Sequence, residues 1–153
     1  MSNLAHQLNK LNLQLPSAPR PVGNYKATLK TGNILYISGQ LPIINGDVIY
    51  QGTLGKDLSV AEGEKAAEIC ALNILSQLNI YLKNDTLVQL IKVEGYINAI
   101  HAFEHHAKVL DGASDLFKTV LGEKSGHIRT VIGCTSLPLN VPVEISVIAE
   151  LES

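Results

Sequence analysis

Residues 59–98 read SVAEGEKAAEICALNILSQLNIYLKNDTLVQLIKVEGYIN, a helix followed directly by a strand. Ser59, with Glu62 three places on, forms a capping box in which each side chain satisfies a backbone amide left free at the helix start. Ala67, Cys70 with Ala71, Ile74, Leu78 and Tyr81 then recur at helical spacing, giving one apolar stripe over about five turns. Asn84-Asp85 closes the helix, and Leu87 to Asn98 predicts a long, buried strand. A long helix feeding a long strand excludes an all-β chain and makes the sheet's covering helical.

Beyond this pair, Phe103, Ala107, Leu110, Ser114, Phe117 and Leu121 form a second helical stripe, with Asp111-Gly112 as a candidate break. Two strands finish the chain, His127 to Thr135 and Pro142 to Leu151, joined by Leu137-Pro138-Leu139-Asn140. In the last, Val143, Ile145, Val147, Ala149 and Leu151 alternate with Glu144, Ser146 and Glu150. Toward the N-terminus, strands are expected from Tyr25 to Leu29, from Asn33 to Gln40 and around Asp47 to Gln51. Thr31-Gly32-Asn33 and Asn45-Gly46 supply the turns. Leu4, Leu8, Leu11 and Leu15 predict a helix over 3–15, which Pro16, Pro19 and Pro21 terminate.

The expected architecture is α+β, a mixed sheet of five or six strands with both long helices on one face. One domain accounts for residues 1–153, with 1–20 a helical extension and 21–153 the core. The sheet's second face would then carry uncovered apolar residues, and such a face normally marks association. Oligomerisation is expected on that ground alone.

The 153 residues are 46% hydrophobic and 17% charged, which fits a globular protein and excludes a disordered one. A net charge of −2 offers no basic field to a polyphosphate backbone, which argues against nucleic acid as the main partner. No apolar run approaches the ~20 residues that span a bilayer. Cys70 and Cys134 have no disulfide or metal-ligand spacing and read as small buried hydrophobes of a reducing, cytoplasmic setting.

Two segments carry a resemblance. Val22-Gly23-Asn24-Tyr25 with Thr31-Gly32-Asn33-Ile34-Leu35-Tyr36-Ile37-Ser38-Gly39-Gln40 resembles the opening of the RidA (YjgF, endoribonuclease L-PSP) family. His127-Ile128-Arg129-Thr130-Val131-Ile132-Gly133, Leu137-Pro138 and Val143-Glu144-Ile145 resemble its closing segment. The match covers about residues 20–152. The N-terminal helix and Asp111-Gly112-Ala113-Ser114-Asp115 are similar to a longer branch of that family. The resemblance implies a chorismate-mutase-like fold, a homotrimer with inter-subunit clefts, and hydrolysis of reactive enamines and imines to 2-keto acids and ammonia. It implies no cofactor and no metal, and a small carboxylate, imino-acid or keto-acid ligand.

The residues have a chemistry of their own. Arg129 in an apolar strand is either held by a core or interface carboxylate or offers a planar fork to a ligand carboxylate. Glu144, expected in the strand neighbouring that of Arg129, is either an exposed strand carboxylate or, as the resemblance implies, an acid–base group that positions water. The two could also pair with each other. Tyr25, Ser38, Gly39 and the backbone at Val131 are the further ligand contacts that the resemblance implies. His127 shares a side with Arg129 by alternation, and is either a cleft residue or a surface histidine at a strand start. It stands where the family has proline, and Lys26 stands where the family has serine. His101, His105 and His106 approach helical spacing but lack a third ligand, so a solvated helix face is expected there. Three function classes follow: imine or enamine hydrolase, non-catalytic binder of carboxylate metabolites, and, third, ribonuclease.

Overall fold

The computed structural model describes residues 3–153. Its strands are β1 (Thr28–Thr31), β2 (Ile34–Gln40), β3 (Ile43–Ile44), β4 (Asp47–Val48), β5 (Thr86–Asn98), β6 (Ile128–Cys134) and β7 (Val143–Glu152). The helices are α1 (Asn3–Lys10), α2 (Val60–Tyr81) and α3 (His106–Leu121). Five strands form one mixed sheet in the order β1-β2-β7-β5-β6, while β3 and β4 make a small separate hairpin. Only β5 and β6 run parallel, because α3 is the crossover between them. The fold is the expected α+β arrangement, with α2 and α3 on one face.

The capping box at the start of α2 is formed in full: Ser59 N–H donates to Glu62 at 2.7 Å, and Glu62 N–H donates to Ser59 Oγ at 3.2 Å. The helix buries more than the expected stripe, since Leu72, Asn73, Ser76 and Gln77 are buried as well. A second layer explains this. The expected helix over 3–15 stops at Lys10, where Asn12 takes a left-handed φ of 55°, and the chain continues extended across the back of α2. Ser76 Oγ donates to the Pro16 carbonyl and Gln77 Nε2 to the Pro19 carbonyl, both at 2.7 Å. Asn73 Nδ2 donates to the carbonyls of Leu41 and Ile43. Prolines have no amide to offer, so donors on α2 serve their carbonyls.

Asp111-Gly112 does not break α3. A Cβ on Gly112 would lie 2.8 Å from the carbonyl carbon of Glu64, so this glycine is where α2 and α3 touch backbone to backbone. The core face of α3 is Val109, Leu110, Ala113, Leu116, Phe117 and Val120, rotated from the expected stripe, in which Ala107 is exposed and Ser114 only partly buried. Tyr25 lies in a bend before β1, not within a strand, with its N–H donating to the Gly23 carbonyl at 3.0 Å.

β5 is buried on one side only. Val93, Gly95 and Ile97 face the helices, while Lys92, Glu94 and Tyr96 face outward. The register lines up Leu29, Tyr36, Ile148, Lys92 and Ile128 in one row across all five strands on that outer face. Leu29, Tyr36 and Ile128 of the row are 53%, 45% and 68% exposed, apolar side chains of the kind that association covers. Among the described residues, no helix is long and apolar enough to cross a membrane.

Candidate functional site

Tyr25, Ser38, Gly39 and Glu144 line one cavity of about 240 Å³ at the end of the sheet, with Gln40 and Leu139 beside them. Local backbone geometry creates it. The pairing of β2 with β7 is irregular between Ile37 and Gln40, and such a bulge re-aims side chains. Ser38 and Gly39 occupy the bulge. A Cβ on Gly39 would sit inside the Glu144 carboxylate, so glycine there is what admits the acid against the β2 backbone. Lys26 is exposed and stays out of the cavity lining. Larger grooves of 510, 550 and 520 Å³ lie elsewhere on the surface and contain none of Tyr25, Ser38, Gly39, His127, Arg129, Val131 and Glu144.

Glu144 is half buried, and no hydrogen bond or ion pair to its carboxylate is found among the described residues. Burial pushes its pKa above the ordinary glutamate value. Gln40 is 4% exposed; its Nε2 donates to the Ser38 carbonyl at 3.2 Å while its Oε1 has no partner. Nothing in the sequence pattern gives Gln40 a role, and only its burial marks it out.

Arg129 lies elsewhere. β5 separates β6 from β7, so Glu144 is not in the strand next to Arg129. Arg129 pairs in register with Val93, which faces the helices, whereas Glu144 pairs with Tyr96, which faces outward. Two strand spacings, about 10 Å, and opposite faces of the sheet therefore separate the two side chains within one chain. They do not pair with each other. Val131 shares the helix-facing side with Arg129 through its partner Gly95.

α3 supplies the arginine's seat. Nη1 meets Asp111 Oδ1 at 2.8 Å and donates to Ser114 Oγ at 3.1 Å, and Nη2 donates to the Ala107 carbonyl at 3.3 Å. Ala107, Asp111 and Ser114 stand at i, i+4 and i+7, one helix face. The spacing was readable, but its polarity was not, because Ala107 and Ser114 fit an apolar stripe. His127 joins the same network: one ring nitrogen faces the Ser125 carbonyl, and Nε2 lies 3.0 Å from Ser114 Oγ. A carbonyl can only accept, so Nδ1 carries a proton toward Ser125, and in the neutral ring Ser114 donates to Nε2. The ring also meets Phe117 edge-on at 6.3 Å. His127 thus shares a side with Arg129, facing α3 rather than the Glu144 cavity.

Among the described residues, no three His, Cys, Asp or Glu side chains are grouped to hold a metal ion. His105 and His106 instead pack edge-on against Phe103, at 5.8 and 5.1 Å.

The model of the YjgF/chorismate mutase-like endoribonuclease family matches residues 6–151. Protein TCP17 of Trypanosoma cruzi is 36% identical over 152 residues, which covers 98% of this chain and 95% of that one. The crystal structure of Atu1372, a protein of unknown function from Agrobacterium tumefaciens, has a TM-score of 0.91 at 39% identity. It covers 98% of this chain and 93% of its own. A Shewanella oneidensis protein described as a candidate endoribonuclease gives 0.90 at 34% identity, covering 96% and 98%.

Proposed function

The chain belongs to the YjgF/chorismate mutase-like endoribonuclease family and has its fold, and on that premise we propose that it hydrolyses 2-imino acids and their enamine tautomers to 2-keto acids and ammonia. The working unit of this reading is a homotrimer whose clefts join the Glu144 cavity of one copy to the Arg129 edge of the next.

One observation carries the proposal: Arg129 and Glu144 lie on opposite faces of the sheet, so one small ligand cannot reach both in a single chain. A second copy seated on the outer face would bring the two halves together and cover the exposed row. In that cleft the guanidinium holds the ligand carboxylate. Glu144 takes a proton from a water that adds to the imine carbon, and the nitrogen is protonated. The resulting carbinolamine expels ammonia and leaves the ketone. An imine is already electrophilic, so no side-chain nucleophile is required. Two unpaired cysteines suit a cytoplasmic setting.

A second reading, a non-catalytic binder of carboxylate metabolites, is favoured by one fact: Arg129 already has a carboxylate partner in Asp111. The test is to mix the protein with freshly generated 2-imino acids and time ammonia release. Arg129→Ala should lose both hydrolysis and keto-acid binding, and Glu144→Gln should depress turnover far more than binding. Wild-type protein that binds keto acids yet never accelerates hydrolysis would select the binder. Full activity in Arg129→Ala would remove the site.

A further inference from the structure

The Arg129–Asp111 pair is itself shaped like half of an ion quartet, with one positive and one negative group side by side and reachable from solvent. The Arg129 and Asp111 side chains are 27% and 43% exposed. Building on the site proposed above, we infer that Asp111 is a specificity-determining residue. With Arg129 it selects ligands that carry a carboxylate and a nitrogen-borne proton on adjacent atoms, and it discriminates against the bare 2-keto acid.

The donor and acceptor inventory supports this. A guanidinium has five N–H groups. Nη1 is ion-paired with Asp111 and donates to Ser114, and one N–H on Nη2 goes to the Ala107 carbonyl. The Nε–H and one Nη2–H are left without a partner among the described residues, enough for a second carboxylate without dismantling the seat. Asp111 uses Oδ1 on Arg129, and its Oδ2 has no partner among the described residues. That oxygen accepts but cannot donate, so it suits an ammonium, an iminium or an enamine N–H and repels a second anion.

Charge leads to the same conclusion. Asp111 already neutralises Arg129, so a bare carboxylate entering the pair adds an uncompensated negative charge. In the assembled cleft Glu144 would be a third carboxylate facing one arginine. A zwitterion leaves the local charge unchanged and gives each protein group an opposite partner. The reaction proposed above removes the nitrogen from the ligand. The same pair would therefore hold the imino acid and release the keto acid, so that product does not clog the site.

L-alanine, pyruvate and lactate test this as three-carbon acids that differ only at C2. Calorimetric titration of the wild-type protein should rank L-alanine above the other two by about tenfold, the worth of one charge-assisted contact. Asp111→Asn should weaken L-alanine and tighten pyruvate, abolishing the preference. Asp111→Glu keeps the charge and should keep the preference, which guards against a variant that misfolds. Equal wild-type affinity for all three, or a preference untouched in Asp111→Asn, overturns the inference. The Arg129 anchor still stands in that case, provided Arg129→Ala loses all three ligands. Unchanged binding in Arg129→Ala, or no binding of any ligand to wild-type protein, overturns the anchor and this inference together.

Discussion

A half-buried carboxylate without a donor is costly in its ionised form, and Glu144 is held in that condition by a single glycine. Gly39 lets the carboxylate lie against the β2 backbone, where any Cβ would displace it. Burial raises the Glu144 pKa, and a base acts only when deprotonated. Turnover should therefore climb with pH along a limb that lies above the ordinary glutamate value of about 4.3. That limb should vanish in Glu144→Gln. Profiles of kcat between pH 4 and 8 decide the matter, and a limb retained by the glutamine variant would assign it to another group. The sign for stability is the reverse. With the folded-state pKa raised, the contribution is intact at low pH and is lost as pH rises through that value, because the unfolded chain ionises first. The site thus gives up stability near neutrality to keep a reactive carboxylate.

At the scale of elements, periodicity located every long helix and strand, but it could not show what covers them. The capping box at Ser59 and Glu62 is local chemistry between near neighbours, and it formed as read. Alternation in β7 also held, with Val143, Ile145 and Val147 turned to the helices. The phase of α3 was harder to read, since Ala107 and Ser114 are small enough for either face and the neighbour that decides is Arg129, more than a dozen residues away. Which face of the sheet Arg129 takes likewise depends on β5 lying between β6 and β7, a topological fact invisible to spacing. Asp111-Gly112 is read as a break by propensity, whereas packing makes Gly112 the point where α2 and α3 meet. Gly112→Ala should consequently cost about 1–3 kcal/mol or more, despite the better helix propensity of alanine. Urea denaturation measures it; a neutral or stabilising result would mean that the helices separate freely at this crossing.

For the molecule as a whole, the outer sheet face poses a question that one chain does not answer. The row from Leu29 through Tyr36 and Ile148 to Ile128 spans all five strands of the main sheet, and only Lys92 interrupts its apolar character. If other copies cover it, the same association completes the cleft, so assembly and activity stand or fall together. Tyr36→Glu separates the possibilities. In the isolated chain Tyr36 is 45% exposed, so a carboxylate there meets water, and the fold should lose no more than about 0.5 kcal/mol. In a covered face the same carboxylate is an unpaired buried charge, which costs several kcal/mol and is enough to split the assembly. Tyr36 lies in the Ile148 row, four residues along β7 from Glu144, so the change leaves the cavity itself untouched. Sedimentation equilibrium should show wild-type trimer and variant monomer, with circular dichroism unchanged and imine hydrolysis lost in the monomer. A variant that keeps trimer mass and full turnover would free this face of any role in assembly. A wild-type monomer that hydrolyses imines would require Arg129 and Glu144 to act apart, which removes the shared cleft from the mechanism.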